Sequence, residues 1–338
     1  MIRLKDVAER AGVSVMTVSK VLRDAPDISV QTKNRIRQLA DEMGYVPDAL
    51  AQGLRTRTTK LLGLVISAAT NPVTAPMILA IEEHAHELGY DVMLAHTLND
   101  PDREEMCVRK ILARRVDGLF LAPVYRLAPT APIYEELKRC GTPVVLLGPT
   151  APFCEPFSSV ETDDRPASHA LGKHLIELGH KRIAFLAGPP AAPWAQARRA
   201  GYHQALRDAG LKDDDNLIFA AGSTFEDGQK AALQMLNEDV MATAVQAVND
   251  LVAMGAVAVF LKQGLRIPED IAVVGFGNLP TSEHFRVPLT TVGQPYYRLG
   301  MAAAETMFEM LRGGKPRTKT FPVELIVRAS SGPPGAQN

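Results

Sequence analysis

The chain has 338 residues, 46% hydrophobic and 22% charged, with a net charge of −1. That length exceeds one ordinary hydrophobic core and implies two or three domains of globular composition. No apolar run reaches the ~20 residues of a membrane span, and the first residues lack the basic-then-apolar pattern of an export signal, so a cytoplasmic protein without a membrane partner is expected.

The charge is unevenly spread. Residues 1–60 carry 11 Lys and Arg against 7 Asp and Glu, or +4, leaving 26 against 31, or −5, for the remainder. A basic segment of this kind is one mark of nucleic-acid contact. Leu4, Val7, Ala8 and Ala11 follow helical spacing and predict a first short helix. Gly12 ends it, Val13 dips inward, and Ser14 is placed to cap a second helix that buries Val18, Val21 and Leu22. Its other face offers Val15, Met16, Thr17, Ser19 and Lys20. A third helix is expected from near Ser29 to Met43, with Ile36, Leu39, Ala40 and Met43 inward and Gly44 as its stop. Two short helices around a glycine turn, closed by a third, follow the helix-turn-helix plan, in which the second helix enters the DNA major groove.

From Leu61 the pattern becomes strand then helix, repeated. Strands are predicted at 61–67, 91–96, 118–123, 143–148, 182–188, 243–248 and 271–277, with amphipathic helices at 76–88, 102–114, 167–179 and 196–209. Continuous apolar strands between helices imply parallel sheets covered on both faces, and their number implies two subdomains. Ligands of such sheets bind beyond the strand carboxyl ends, so two facing subdomains would enclose a cleft.

"RLKDVAERAGVSVMTVSKVL", Tyr45-Val46-Pro47 and "ALAQGLR" together resemble the lactose-repressor (LacI/GalR) family of bacterial transcription regulators. The family's signature falls at Asp6-Val7-Ala8, Gly12-Val13-Ser14 and Thr17-Val18-Ser19. The resemblance extends more loosely over "LIELGHKRIAFLAGP", "RRAGYHQAL", "ATAVQAVNDLVAMGAV" and "GLRIPEDIAVVGFGN". It implies an all-α helix-turn-helix head plus an α/β periplasmic-binding-protein-like core of two doubly wound parallel-sheet subdomains. The corresponding boundaries are a head at 1–47, a hinge helix and linker at 48–60, and an effector and dimerisation region at 61–332, with a flexible tail at 333–338. Within that region the N-subdomain takes 61–161 and 292–322, and the C-subdomain 162–291 and 323–332.

By the same resemblance Val15, Met16 and Lys20 occupy the slots that choose the operator. Val15 and Met16 offer only apolar contact, such as with a thymine methyl, so hydrogen-bonded readout falls to Lys20. Ser14, Thr17, Ser19 and Asn34 are expected to grip phosphates. In the hinge, Ala51 lies one turn before Leu54, which is expected to wedge into the central base step, with Arg55 and Arg57 on phosphates. Such a wedge costs ~a few kcal/mol of unstacking, so two paired hinges, and hence a homodimer on double-stranded operator DNA, are implied.

The family binds sugars, nucleosides or purines in its cleft. Carried over by position, Asp250 is the leading effector ligand, followed by Arg198 and Gln294, with Asn71 and Thr74 at the start of the first helix of the N-subdomain. Asp163, Asp164 and Arg165 form either a ligand trio or an ion-paired helix start, with Asp164 taken as structural and Asp163 as a site residue. Trp194, the only tryptophan, is placed in a loop, where it either faces a sugar ring or simply packs. Three departures stand out. Gly277 holds a slot usually acidic in the family, Ser223 one that is often aromatic, and Val73 and Thr74 replace an aromatic pair.

An α/β enzyme acting on a carbohydrate, or a solute receptor without a DNA role, is the rival reading. "GFGN" lacks the third glycine of a dinucleotide fingerprint, and no P-loop lysine or Gly-x-Ser-x-Gly elbow occurs. His84 and His86 lie two apart, diverge on a helix, and are expected to be solvated. His180 is expected to cap a loop. Cys107, Cys140 and Cys154 share no metal or disulfide spacing. No catalytic residue, metal or cofactor is therefore expected, and the effector is expected to be a small polar molecule, a sugar above others. The tail lacks the leucine heptads that would zip dimers together.

Overall fold

The computed structural model describes residues 2–46, 58–238 and 240–332. The chain divides after Thr59 into two compact units. Ala51, Leu54 and Arg55, with Arg57 and the tail at 333–338, lie outside the described residues.

In the first unit α1 spans Leu4–Ala11 and α2 spans Val15–Leu22. Gly12 joins them in the left-handed region (φ 68°), a conformation that suits a residue without a Cβ. Ser14 caps α2, its Oγ accepting from Thr17 N at 3.1 Å. The third helix, α3, spans Val30–Glu42 and is capped in the same way by Ser29. Val7, Ala8, Ala11, Val18, Val21, Ile36 and Ala40 form the core. Leu22, expected inside, is only half-buried at the last residue of α2. Arg35 and Arg37 tie α3 back by donating to the Ala11 and Val21 carbonyls at 3.2 and 3.4 Å.

The second unit holds two parallel sheets. The six-stranded sheet runs β11-β5-β4-β3-β1-β2, from β1 (Leu61–Ile66), β2 (Asp91–His96), β3 (Gly118–Leu121), β4 (Val144–Leu147), β5 (Ser158–Thr162) and β11 (Thr318–Phe321). Its register pairs Leu62 with Val92 on one side and with Gly118 on the other. Alternate residues serve opposite faces: Leu62, Leu64 and Phe120 pack under the Thr74–Glu87 and Tyr296–Leu311 helices, while Val65, Leu119 and Leu121 face Val108, Ile111 and Tyr134. Each such buried side chain contributes ~1.5–3 kcal/mol.

The four-stranded sheet runs β7-β6-β8-β9, from β6 (Ile183–Ala187), β7 (Ile218–Ala220), β8 (Ala244–Ala247) and β9 (Ala272–Val274). A short antiparallel pair, β10 (Thr291–Gly293) with β12 (Glu324–Ile326), lies where the chain passes between the two lobes. The chain makes that passage three times: after β5, after β10 and after β11. Beyond β12, Ser330 N donates to Pro288 O, and Ser330 O accepts from Val273 N at 2.8 Å, so this segment is laid along β9.

Helix pairs seat closely around the second sheet. A Cβ at Gly201, on the Pro193–Asp208 helix, would stand 2.3 Å from Arg165 O on the Asp164–Glu177 helix. His180 is buried, with Nε2 at 2.7 Å from Gly332 O and Nδ1 at 2.9 Å from Thr243 Oγ1. Burial pushes its pKa below the usual imidazole value. His86 is exposed, but His84 packs edge-on against Phe308 at 5.6 Å between centroids, because the final helix covers that side of its own. Among the described residues no helix is long and apolar enough to cross a membrane.

Candidate functional site

The exposed face of α2 begins with two apolar side chains. Val15 is 46% and Met16 64% exposed, an arrangement a folded monomer has no packing reason to keep. Ser14 Oγ and Thr17 Oγ1 lie 2.9 Å apart, so both hydroxyls serve the cap of α2 as well as any outside partner. Ser19 accepts from Arg23, and Asn34 is exposed on α3. Lys20 departs from the expectation of a free base-reading amine. The loop after α2 folds back, and Lys20 Nζ bonds Asp27, a contact that holds the Asp27 carboxyl below its usual range.

In the second unit a cleft of about 860 Å³ opens between the lobes, beyond the strand carboxyl ends. Asn71, Thr74, Asp163, Trp194, Arg198, Asp250 and Gln294 all line it. They are drawn together from distant sequence because each follows a strand of one of the two sheets or the crossover between them.

At the cleft floor the polar groups are tightly interlocked. Arg198, on the Pro193–Asp208 helix, donates from Nε to Asp164 Oδ2 at 2.8 Å and from Nη1 to Val248 O at 2.8 Å. Its Nη2 reaches Gln294 Oε1 at 3.3 Å. Gln294 Nε2 donates to Thr162 Oγ1 at 2.6 Å, and Thr162 Oγ1 donates to Asp164 Oδ1 at 2.5 Å. Tyr296 completes the chain, donating to Gln294 Oε1 at 2.8 Å. The flat guanidinium is stacked as well, 3.8 Å from the Phe276 centroid and 4.9 Å from that of Trp194.

Asp250 requires a correction. Expected to present its carboxylate to an effector, it has no accessible surface. It accepts from Ser282 Oγ at 2.7 Å, Thr291 Oγ1 at 2.5 Å and Leu279 N at 2.9 Å, and so braces the loop after β9. Burial raises its pKa, and these three donors oppose the rise. Its neighbour Asn249 takes the helix N-cap and also faces the cleft. Trp194 lies not in a loop but at the second position of its helix, because Pro193 can start a helix without needing its missing N–H. Thr74 and Asn71 keep their expected places, with Thr74 Oγ1 bonded to Ala68 O at 2.7 Å and Asn71 Oδ1 accepting from Val73 N at 3.1 Å. Asp163 is exposed on the rim, while Asp164 is buried against Arg198.

Sequence reasoning missed Thr162, Tyr296, Phe276 and Tyr125, all of which line the cleft. Phe276, between the glycines of "VVGFGN" at a strand end, carried a usable signal. Thr162 and Tyr296 carried none, since the strand of Thr162 is polar in sequence and Tyr296 follows a strand of only three residues.

A helix-turn-helix head joined to a two-lobed body with a cleft defines a ligand-responsive DNA-binding regulator. The comparisons name the family. "Periplasmic binding proteins and sugar binding domain of LacI family" matches residues 59–329, and "Bacterial regulatory proteins, lacI family" matches residues 3–48. The chain belongs to the LacI family of bacterial regulators. It is 30% identical to the transcriptional repressor PurR of Photobacterium profundum, over 98% of each chain. It is 32% identical to the repressor CytR of Escherichia coli K12, over 97% of this chain and 96% of the relative. Among solved structures, the lac repressor dimer bound to operator and the anti-inducer ONPF aligns with a TM-score of 0.86 at 28% identity, covering 98% of this chain and 99% of that one. The complex of the regulator CelR with cellobiose aligns at 0.75 and 30% identity, covering 98% and 100%.

Proposed function

We propose that the protein is a cytoplasmic repressor that binds operator DNA as a homodimer and changes its grip when a sugar or related small molecule enters the cleft. The observation that carries this is the pairing on one chain of an exposed apolar reading face, Val15 and Met16, with a solvent-open cleft between two lobes. Val15, Met16 and Lys20 select bases, Ser14, Thr17, Ser19 and Asn34 hold phosphates, and Ala51, Leu54 and Arg55 enter the minor groove. Asn71, Thr74, Asp163, Trp194, Arg198 and Gln294 surround the effector. With Arg198 and Gln294 already bonded to protein, its direct polar contacts fall first on Asn71 and Asp163.

No catalytic role is assigned. At the cleft floor Arg198 is paired with Asp164, and Asp250 is held by Ser282, Thr291 and the Leu279 N–H, as a binding wall requires, rather than poised as a nucleophile with its base. Titrating the full-length protein onto genomic fragments by anisotropy tests this reading. Specific binding with a Kd of about 10⁻⁸–10⁻¹¹ M is expected at physiological salt. An effector coupling of about 5–150-fold is expected on top of it. Absence of any preferred fragment, or turnover of a carbohydrate, would overturn it.

A further inference from the structure

One carboxylate sits in an apolar stripe. On the Pro101–Leu112 helix, Glu104, Cys107, Val108 and Ile111 recur at helical spacing and form the buried face. Glu104 has no accessible surface. Its Oε1 accepts from Val124 N at 2.7 Å and from the Tyr134 hydroxyl at 2.8 Å, and its Oε2 bonds Arg126 Nη2. Burial pushes the carboxyl pKa up, and these three partners oppose the rise. Stability alone gives little reason for the pair, since a buried ion pair is often no more stabilising than apolar residues of similar volume.

Its geometry gives a different reason. Arg126 Nε donates back to the Val124 carbonyl at 3.2 Å, so the ion pair grips both backbone polar groups of one residue. The guanidinium is braced by two rings, 5.3 Å from the Phe153 centroid and 5.9 Å from that of Tyr134. Val124 and Tyr125 line the cleft, whereas Glu104 does not. They belong to the segment 122–131, which runs from β3 to the Pro132–Cys140 helix without forming helix or strand itself. Its place is therefore set by side chains rather than by a backbone ladder. Tyr125 extends the connection, donating its hydroxyl to Pro149 O at 2.6 Å in the segment after β4, which also lines the cleft.

We propose that Glu104 is a positioning residue for effector binding: acting through Arg126, it holds the Val124–Tyr125 wall of the cleft in place without touching the effector. This rests on the reading of the cleft as the effector site. Tyr134 supplies a control, since it bonds the same carboxylate but sits on the Pro132–Cys140 helix and does not line the cleft.

The test compares the full-length protein with its Glu104→Gln, Arg126→Met and Tyr134→Phe variants. Hydrogen exchange by mass spectrometry is read on the peptide covering 122–131 and on one covering β6. Ribose, glucose, cellobiose and adenosine are titrated by calorimetry, and each variant's melting temperature is recorded. Glu104→Gln turns an amide NH₂ toward Arg126. It is expected to speed exchange of the 122–131 peptide about tenfold or more, with β6 within about twofold of the unmodified protein. Whichever probe the unmodified protein binds should then bind about three- to tenfold more weakly. Arg126→Met, in which Glu104 can take up a proton, should act in the same direction and serves if Glu104→Gln does not fold. Tyr134→Phe should lower the melting temperature yet leave exchange of the segment and probe affinity within about twofold. Unchanged exchange or unchanged probe affinity in both Glu104→Gln and Arg126→Met overturns the proposal. So does a Tyr134→Phe effect on both readouts as large as that of Glu104→Gln, which is what a purely structural role predicts. Silence of all four probes on the unmodified protein counts against the cleft reading instead, and the exchange then decides the role of Glu104 by itself.

Discussion

Arg198 and Asp164 form a buried ion pair in which Nε and Nη2 of the arginine both lie 2.8 Å from the same carboxylate oxygen, Oδ2. The two residues sit on adjacent helices of the four-stranded lobe, and both side chains are almost wholly out of solvent. Removing one partner would leave the other charged in a dry site. Asp164→Asn is therefore expected to cost about 3–5 kcal/mol in urea unfolding. The double variant Asp164→Asn with Arg198→Met should recover part of that loss, because neither charge is then stranded. Recovery of none of it would mean that the stacking of Arg198 on Phe276, rather than the ion pair, carries the stability.

The helix pair that holds this contact depends on Gly201. A methyl there meets a backbone carbonyl oxygen at 2.3 Å, which cannot rotate away as a side chain could. Gly201→Ala should destabilise by about 1–3 kcal/mol through overpacking, with Gly201→Val worse. Thermal melts of the two variants check the order.

Acid should loosen the fold through His180. Its pKa is lower in the folded protein than in the unfolded chain, because burial disfavours the imidazolium. As pH falls below the unfolded value, about 6.5, the unfolded chain takes up a proton that the native state resists. The stability this histidine contributes is thus present above that value and is lost as pH falls toward the folded one. His174, lowered for the same reason, acts in the same sense. Denaturation midpoints between pH 8 and 5 should fall with acid, and His180→Gln should flatten the slope. An unchanged slope would assign the acid sensitivity elsewhere.

On α2, Met16→Ala with Val15→Ala should alter which operator is preferred, at about 1–3 kcal/mol per base step changed. Asp27→Ala releases Lys20 from its partner and should raise affinity for the preferred fragment above others, as a freed base-reading amine would. Binding isotherms on two unrelated fragments at several salt concentrations separate the two effects. A uniform gain on both fragments from Asp27→Ala, with a steeper salt dependence, would show that Lys20 meets phosphates after release.

The legible parts of the sequence were those where one signal dominates. Glycine at position 12, serine caps and helical apolar spacing placed the head, and unbroken apolar runs such as "LLGLVI" placed the buried central strands. β5 escaped because "SSVET" is polar for a strand, although Ser158 and Ser159 are buried; their hydroxyls meet Met310 Sδ and Thr318 Oγ1. β7, β10 and β12 are three residues long, too short for alternation to show. Asp250 was misjudged for a different reason. A carboxylate after a strand in this fold class looks like a ligand, and only the tertiary return of Ser282 and Thr291 reveals that its lone pairs are taken. The same holds for Lys20, whose partner Asp27 sits seven residues away around a loop whose path the sequence does not state.

The threefold passage of the chain between lobes has a consequence for biosynthesis. The lobe begun at Leu61 is not finished when β5 is made, since it still awaits the Tyr296–Leu311 helix and the outer strand β11. During translation the apolar side chains of Leu62, Leu64 and Phe120 therefore have only the Thr74–Glu87 part of their helical cover until nearly the whole polypeptide has left the ribosome. The half that starts first closes last, and a ribosome stalled near residue 290 would display an adhesive, half-covered sheet to the cell's chaperones.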